Sequence, residues 1–216
     1  MSIVTEPKSG ILRPAITLLI VFVVLTGLIF PAVIWGISQA IFPHQANGSL
    51  IKDSNGKVIG SELIGQNFSD PKYFHPRPSA AGAGYDAANS SGTNLGPNSN
   101  KLINGIKDDP ETKGVDETYL GINDLARLYR KENGLGKDIK LPADSVTRSA
   151  SGLDPNISVA NALLQAKRIA VARGMSEEEV RRLVRVQLES RFLGIYGEAR
   201  VNVLAINRAL DRVGMK

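Results

Sequence analysis

The sequence predicts an α+β protein, in which a single N-terminal transmembrane helix is followed by one mixed α/β extracytoplasmic domain. The segment Pro14–Ile51 contains no Lys, Arg, Asp or Glu. A pattern of two short strands follows it, and the final third of the chain has helical periodicity with clear start and stop signals. We therefore expect a short cytoplasmic N-terminus at 1–13, a transmembrane helix at 14–36, a linker at 37–50 and the domain at 51–216.

The transmembrane prediction depends on the densest apolar run, Ala15–Trp35, which reads AITLLIVFVVLTGLIFPAVIW. About 20 apolar residues cross a hydrocarbon core of roughly 30 Å as a helix. The alternative is a cleaved signal peptide, since Ser38–Ala40 is a small-x-small pattern, but the run exceeds the usual apolar region of about 7–15 residues. Because Lys8 and Arg13 precede the helix, we expect a cytoplasmic N-terminus in the cell inner (plasma) membrane.

The first part of the domain predicts a hairpin, an extended stretch and a helix. Ile51–Phe68 has short alternating runs around Asn55-Gly56, a pair that favours a two-residue turn. The three prolines of Asp70–Ser79 exclude a regular helix there. A short helix is expected at Leu120–Glu132, ending near Gly134.

The region from Leu141 to Gly174 predicts a strand, a turn and a helix. Leu141–Gly152 reads as a strand running into a Ser/Gly turn. The following helix has Ser158 as its N-cap and Gly174 as its C-terminal stop. Its apolar stripe is expected to comprise Val159, Ala162, Leu163, Ala166, Ile169 and Ala170.

Two further helices are expected before the C-terminus. Ser176 and Glu179 form the pattern of a capping box, which begins a helix that should continue to about Ser190. Val201–Gly214 is expected to be the last helix. The inward side chains of the first of these helices should be Val180, Leu183, Val184 and Leu188.

Composition and motifs exclude several kinds of function. The 216 residues include no cysteine, which excludes thiol catalysis, cysteine zinc sites and disulfides. His44 and His75 are far apart, and the chain lacks GxSxG, Walker A and Rossmann glycine motifs, so we predict no catalytic residue and no metal ligand. The basic excess of the final third is interleaved with glutamates, which is typical of a solvated face, so we expect no nucleic-acid partner.

One turn has a pattern that could bind an anion. Ser149–Ser158 is a Ser/Gly turn that opens a helix, where free backbone N–H groups can bind negative charge. Gln165 and Arg168 lie on the helix that follows and could add polar contacts. In the alternative interpretation, Asp154 or Ser158 satisfies those N–H groups itself.

Three long segments identify a family resemblance. RPSAAGAGYDAANSSGTNLGPNSNKL (77–102), VTRSASGLDPNISVANALLQAKRIAVARG (146–174) and YGEARVNVLAINRALD (196–211) resemble the C subunit of the Kdp-type potassium-transporting P-type ATPase. The resemblance extends from Arg13 to Leu210. The chain departs from it at Val159, where the family pattern has proline, so one helix-start device is lost.

The resemblance implies a non-catalytic accessory subunit of an ATP-driven potassium uptake complex, needed for assembly and activity. Its partners would be a channel-like potassium-binding subunit, a P-type subunit that hydrolyses ATP, a small single-helix subunit and membrane lipid. Potassium would be the transported ion of the complex, and no cofactor is expected on this chain itself. The rival interpretations are an independent membrane-anchored envelope enzyme and a ligand-binding module.

Two mechanisms are compatible with the resemblance. In the first, the domain is a structural clamp that stabilises the channel-like subunit. In the second, it is a catalytic chaperone that raises the ATP affinity of the P-type subunit, with Gln165, Ser151, Gly152 and Asp154 as nucleotide contacts. ATP is bound in the cytoplasm, whereas the predicted topology places Gln165 outside, so an effect on ATP affinity would be indirect.

The small-residue segment Arg77–Lys101 is predicted to be an ordered loop rather than a tether. Tyr85 and Leu95 are its two large apolar residues and should fix it to the domain. Asparagines and glycines favour turns and offer hydrogen-bonding groups to a neighbour. In the alternative, only its own domain orders the loop. The expected partner contacts are Arg77, Tyr85, Asn89, Asn94 and Asn98.

Overall fold

A computed structural model describes residues 9–106 and 119–213 of the chain. The chain divides into two compact units, Met1–Leu50 and Ile51–Lys216. The first unit is helical, whereas the second combines helices with two small antiparallel sheets. The predicted fold class, α+β with one N-terminal apolar helix, is confirmed.

The N-terminal helix is predominantly apolar after Arg13 and is long enough to cross a membrane. It runs through α1 (Ser9–Val24), a π-helical segment (Leu25–Ile29) and α2 (Phe30–Ile41). The continuous span Gly10–Ile41 has 32 residues, which at a rise of 1.5 Å per residue is about 48 Å long. Its side chains are exposed, as expected for a helix whose apolar surface faces lipid.

The π-helical segment has a local cause. Pro31 has no N–H group, and in a regular helix its ring would clash with the carbonyl group of Gly27. The backbone widens at this point, and the N–H group of Phe30 donates to the carbonyl oxygen of Leu25, five residues earlier.

The helix continues beyond the expected boundary at residue 36. It reaches Ile41 and is followed by the one-turn helix α3 (Pro43–Ala46), so most of residues 37–46, in the segment expected to be a linker, is helical. Pro43 breaks the helix because it cannot donate to the preceding turn, yet it suits the first position of the next helix.

The second unit contains the remaining elements. The short hairpin prediction is confirmed, although residues 53–57 form a five-residue connection instead of a two-residue turn, because the carboxylate of Asp53 accepts hydrogen bonds from the N–H groups of Asn55 and Lys57. The elements are β1 (Leu50–Lys52), β2 (Val58–Ser61), a 3₁₀ turn (Ala87–Asn89), α4 (Asn100–Asn104), α5 (Ile122–Asn133), a 3₁₀ turn (Ala143–Ser145), β3 (Asn156–Ser158), α6 (Val159–Arg173), α7 (Glu177–Val186), β4 (Leu188–Glu189), β5 (Arg200–Asn202) and α8 (Val203–Val213).

The core of the second unit lies between a three-stranded antiparallel sheet and the last three helices. The strand order is β3-β5-β4, and Val201 at its centre pairs with Ile157 on one side and Leu188 on the other. Alanines on the buried face of α6 leave room for close packing. The buried cluster comprises Phe74, Ile157, Ala162, Ala166, Ile169, Ala170, Val180, Val184, Val201, Val203, Ile206 and Leu210.

The helix signals read from the sequence are confirmed at α5, α6 and α7. Helix α5 ends at Gly134, which has a left-handed conformation. The hydroxyl group of Ser158 accepts from the N–H group of Asn161 at the start of α6, and Gly174 ends that helix in the same left-handed conformation. The capping box of Ser176 and Glu179 begins α7.

Four expectations for the chain after residue 140 were wrong. Residues 141–152 contain a 3₁₀ turn instead of a strand, because Pro142 fixes its own φ and the carboxylate of Asp144 turns back to bond Ser158. Helix α7 ends at Val186 instead of about Ser190. Leu188, which was expected to face inward, lies on an edge strand and is exposed. Residues 200–202 form the central strand, so the last helix begins at Val203 instead of Val201.

Candidate functional site

The two longest resemblance segments pack against each other. We call this contact the loop junction and define it as residues 77–96 together with residues 148–154. The N–H group of Ser91 donates to the carbonyl oxygen of Ser151 at 3.0 Å, and the hydroxyl group of Ser90 donates to the same oxygen at 2.9 Å. The segment 77–96 is thus held by contacts within its own unit, and these contacts do not depend on a partner.

Ser79 organises the turn at the start of the loop junction. Its hydroxyl group donates to the carbonyl oxygen of Gly152 at 2.7 Å and accepts from the N–H groups of Ala81 and Tyr85. One side chain therefore joins the two segments and closes the turn between residues 79 and 85.

Two glycines of the loop junction lie where backbone segments touch. A Cβ atom at Gly152 would lie 2.7 Å from both the nitrogen atom of Ala81 and the carbonyl oxygen of Ser91, and its φ of +68° disfavours any other residue. A Cβ atom at Gly92 would lie 2.6 Å from the carbonyl oxygen of Ala150. The small-residue composition is therefore needed for close backbone packing.

Arg77 and Tyr85 connect the loop to the rest of the unit. Nη1 of Arg77 lies 2.8 Å from a carboxylate oxygen of Asp154, and both side chains are mostly buried. The hydroxyl group of Tyr85 donates to the carbonyl oxygen of Arg77 at 2.8 Å. Burial, and then the charge of Asp154, raise the pKa of Tyr85, so the phenol stays neutral and keeps its donor.

The three predicted asparagines lie on the exposed side of the loop. Asn89 donates to the carboxylate of Asp86 within the 3₁₀ turn. Asn94 has a left-handed backbone, with a φ of +50°, which asparagine tolerates. Asn98 is also exposed, whereas Leu95 is half-buried.

The described hydrogen bonds of Gln165 join it to His75, Asn161 and Arg168. Its amide oxygen accepts from the N–H group of His75 and from Nη2 of Arg168, both at 2.8 Å. Its amide nitrogen donates to the carbonyl oxygen of His75 at 3.1 Å and to Oδ1 of Asn161 at 2.9 Å. All four hydrogen-bonding positions of this amide are therefore used, and the side chain is 1% exposed.

A second buried amide holds the neighbouring residue in the same way. Oδ1 of Asn207 accepts from the N–H group of Phe74 at 2.8 Å, and its Nδ2 atom donates to the carbonyl oxygen of Phe74 at 3.0 Å. Gln165 on α6 and Asn207 on α8 thus bond the backbone of two consecutive residues, 74 and 75. We call this pair the amide clamp, and it fixes the extended segment that leads into Arg77.

Ionisable groups surround the amide clamp. Nδ1 of His75 lies 2.5 Å from Glu132, and Nε of Arg168 lies 3.6 Å from the same carboxylate. Burial raises the pKa of Glu132, but the hydrogen bond and charge of His75 and the charge of Arg168 outweigh burial, so this pKa lies below its ordinary value.

The Ser149–Ser158 turn satisfies its own N–H groups. The hydroxyl group of Ser151 accepts from the N–H group of Leu153, and Oδ1 of Asp154 accepts from that of Asn156. The last three residues of this segment form strand β3, and Ser158 is the N-cap of α6. The structure therefore favours the interpretation in which Asp154 and Ser158 satisfy the backbone.

An open cleft of about 430 Å³ lies beside the amide clamp. Arg77, which lines the cleft, already pairs with the carboxylate of Asp154. Among the described residues no group of three or more His, Cys, Asp or Glu side chains could hold a metal ion. The cleft is lined in part by Phe68, His75, Tyr85, Leu128, Tyr129 and Glu132.

Sequence reasoning missed Asn207, Asn161 and Asp144. Asn207 lies between Ile206 and Leu210 on an apolar helix face. A polar residue on such a face indicates a buried side chain with hydrogen-bond partners, and this signal could have identified Asn207. Asp144 accepts from the N–H and hydroxyl groups of Ser158 and from Nδ2 of Asn161, and thus holds the N-cap residue of α6 from 14 residues away. No local pattern indicates such a contact.

The fold and the site together define a class of protein: a chain with one apolar N-terminal helix of membrane-spanning length and a small α+β unit whose polar side chains serve mainly to hold its loops. A family profile described as "K+-transporting ATPase, c chain" matches residues 12–212. The chain belongs to this family, the KdpC subunits of potassium-transporting ATPases.

Named relatives are similar over nearly the whole chain. The KdpC subunit of Caulobacter vibrioides strain NA1000 is 52% identical over 200 residues, which is 93% of this chain and 92% of the relative. The KdpC subunit of Mycobacterium bovis strain BCG is 49% identical over 202 residues, which is 94% of this chain and 98% of the relative. Both are named potassium-transporting ATPase KdpC subunits.

Proposed function

We propose that this chain is a non-catalytic accessory subunit of an ATP-driven potassium uptake complex, where it supports assembly and activity. The observation that carries the proposal is the family match across residues 12–212, which includes both the apolar helix and the α+β unit. The partners are a channel-like potassium-binding subunit, a P-type subunit that hydrolyses ATP and a small single-helix subunit. The chain is anchored in the inner membrane with its N-terminus in the cytoplasm and residues 51–216 outside.

The geometry favours a structural clamp as the mechanism. The loop junction and the amide clamp hold the segment 74–96 through contacts from α6, α8 and residues 148–154. A loop fixed in this way presents Asn89, Asn94 and Asn98 in one arrangement, which lowers the entropy cost of binding the channel-like subunit. Arg77 and Tyr85 contribute to this interface by holding the loop in place, through their bonds to Asp154 and to the backbone of the loop.

The nucleotide-contact mechanism receives less support from the same geometry. Gln165 would have to break four internal hydrogen bonds before it could bond a nucleotide. Ser151 and Asp154 accept from nearby backbone N–H groups, and Gly152 is packed against Ala81. An influence on ATP affinity in the P-type subunit would therefore act through coupled conformations of the complex.

A pull-down tests the proposed function. The tagged full-length chain is purified in mild detergent from cells grown at low potassium, and the retained material is assayed for potassium-stimulated ATPase activity. We expect a large multi-helix protein and a P-type ATPase to co-purify, and the activity to be lost when this chain is absent. A chain that comes down alone, without ATPase activity, would contradict the proposal and favour the envelope enzyme or the ligand-binding module.

A substitution at Asn94 tests the partner contact itself. Asn94→Ala should reduce recovery of the complex, while the exposed hairpin residue Asn55, changed to Ala, serves as the control. Unchanged assembly and transport with Asn94→Ala would count against a partner contact at this position and would leave the loop ordered only by its own unit.

A further inference from the structure

The connection between β4 and β5 carries a cluster of exposed apolar side chains. The backbones of Phe192 and Tyr196 pair through two hydrogen bonds of 2.9 Å, so the segment folds back as a small hairpin. We call Phe192, Leu193, Ile195 and Tyr196 the hairpin tip. Their side chains are 71%, 75%, 73% and 65% exposed, respectively.

The hairpin tip is apolar and uncovered on every side. Phe192 and Tyr196 flank the turn and Leu193 and Ile195 lie within it, and because each of the four side chains is at least 65% exposed, the rest of the described chain covers no side of the tip. A hairpin that packs flat on a surface needs only one apolar face. Apolar residues left uncovered on every side indicate an element that becomes enclosed, as in a groove.

The backbone of the turn also points to a role for its side chains. Leu193 has a φ of +52° and Gly194 a φ of +74°. Consecutive positive φ angles at the centre of a tight hairpin favour Asn, Asp or Gly, and a branched apolar residue is strained there. Local stability therefore does not explain Leu193, whereas a contact outside the unit does.

The charges at the base of the hairpin are balanced. Arg191 pairs with Glu198 at 2.7 Å, and Arg200 pairs with Glu189 at 2.9 Å. An anionic lipid surface attracts unpaired cations next to the apolar residues that insert. An apolar, aromatic centre within a neutral polar rim instead resembles the anatomy of a protein–protein interface.

We propose that the hairpin tip inserts into an apolar groove with a neutral polar rim on another chain of the potassium-transporting ATPase. This proposal rests on the proposed function and names one of its contact surfaces. Four such side chains bury no more than roughly 600 Å² on this chain, which is below the area of about 800 Å² that each partner buries in an interface of standard size. The hairpin tip is therefore one anchor among several, and not a binding site that acts alone.

The absence of cysteine allows a direct test with single thiols. Leu193→Cys is introduced into the full-length chain, and its rate of reaction with a water-soluble maleimide is measured in the purified complex and in the isolated chain in the same detergent. Val171→Cys is the matched control, because Val171 is an apolar residue on α6 that is 77% exposed. We expect the rate at Leu193→Cys to fall about tenfold in the complex, where a buried interface excludes the reagent, and the rate at Val171→Cys to stay within about twofold.

A second measurement follows assembly. Phe192→Ser combined with Ile195→Ser should reduce co-purified ATPase activity several-fold, while Val171→Ser should not. Because these residues are exposed, the circular dichroism spectrum and thermal midpoint of the chain should stay unchanged. If the double variant has a lower thermal midpoint than the unmodified chain, its loss of ATPase activity is set aside. The thiol assay then decides, because Leu193→Cys changes only one of the four apolar side chains.

The other outcomes separate this proposal from its rivals and from the proposed function. Equal reaction rates at Leu193→Cys with and without partners would overturn the proposal. Protection of the isolated chain in phosphatidylcholine or phosphatidylglycerol vesicles would assign the tip to lipid, and protection that grows with the concentration of the isolated chain would assign it to a second copy. Failure of the unmodified chain to recover any ATPase would contradict the proposed function instead.

Discussion

Gly152 is a residue at which backbone conformation and close packing coincide. Gly152→Ala would place a Cβ atom 2.7 Å from two backbone atoms at a φ of +68°. We expect the free energy of unfolding to fall by at least about 2 kcal/mol, measured by denaturant unfolding of the full-length chain in detergent. Gly96→Ala is the control, because nothing lies within 4 Å of its added Cβ atom. Equal stability of the two variants would mean that the loop junction is loosely packed.

Glu132 makes stability depend on pH. Its pKa in the folded chain is lower than the ordinary value of 4.5, so folding favours the ionised form. This contribution is present above the ordinary pKa and is lost as the pH falls through the lowered one. We expect Glu132→Gln to be less stable than the unmodified chain at neutral pH and to lose less stability on acidification.

Unfolding midpoints at several pH values between about 3 and 6 measure this effect. Glu198→Gln is the control, because that carboxylate is 82% exposed in its pair with Arg191. A pH dependence in Glu132→Gln that matches the unmodified chain would mean that the contacts with His75 and Arg168 do not favour the ionised carboxylate.

At the scale of elements, the amide clamp makes two helices act together. Gln165 on α6 and Asn207 on α8 bond adjacent residues of one segment. We expect Gln165→Leu and Asn207→Leu each to cost about 1–3 kcal/mol, because each leaves buried backbone groups unsatisfied. The double variant should deviate from additivity by about 0.5–2 kcal/mol, since release of one residue loosens its neighbour.

Asn202 provides the control for this cycle. It is also a buried amide, but it bonds the carbonyl oxygen of Glu62 instead of residues 74 and 75. Gln165→Leu combined with Asn202→Leu should be additive in denaturant unfolding. Strict additivity in the Gln165–Asn207 pair would show that the two helices hold the segment independently.

The elements that could be predicted from the sequence are those with local signals. Ser158, Gly174 and the capping box at Ser176 fix helix ends through contacts within a few residues, and the structure has them there. Helix α7 is shorter than expected. Leu188 continues the apolar spacing of the helix in the sequence, but in the structure the backbone of Leu188 pairs with Val201 in the sheet. That pairing involves a strand that begins more than ten residues later, so the spacing of apolar residues in the sequence does not indicate it.

The candidate site was less predictable for the same reason. The composition of residues 77–101 indicated an ordered loop with turns, but not that Ser79 and Ser91 bond residues 151 and 152. The catalytic-chaperone mechanism would place Gln165 and Asp154 together as nucleotide contacts. The amide of Gln165 instead bonds His75, which lies 90 residues away.

At the scale of the whole molecule, the orientation of the chain is open to chemical labelling. Asn55→Cys, in the exposed connection of the hairpin, should react with a membrane-impermeant maleimide in intact cells. The control, Thr5→Cys, should react only after permeabilisation, because the positive residues near the N-terminus retain it in the cytoplasm. The reverse pattern would invert the proposed topology and bring Gln165 to the side on which ATP is bound.

The loop junction also has a consequence for the order of events during synthesis. Ser90 and its partner Ser151 are 61 residues apart, so at about 5–20 residues per second the first segment waits roughly 3–12 seconds before the second is made. A segment rich in Ala, Gly, Ser and Asn, with few large apolar residues, does not promote aggregation while it waits. The composition that allows tight backbone packing in the finished protein thus also protects the nascent chain.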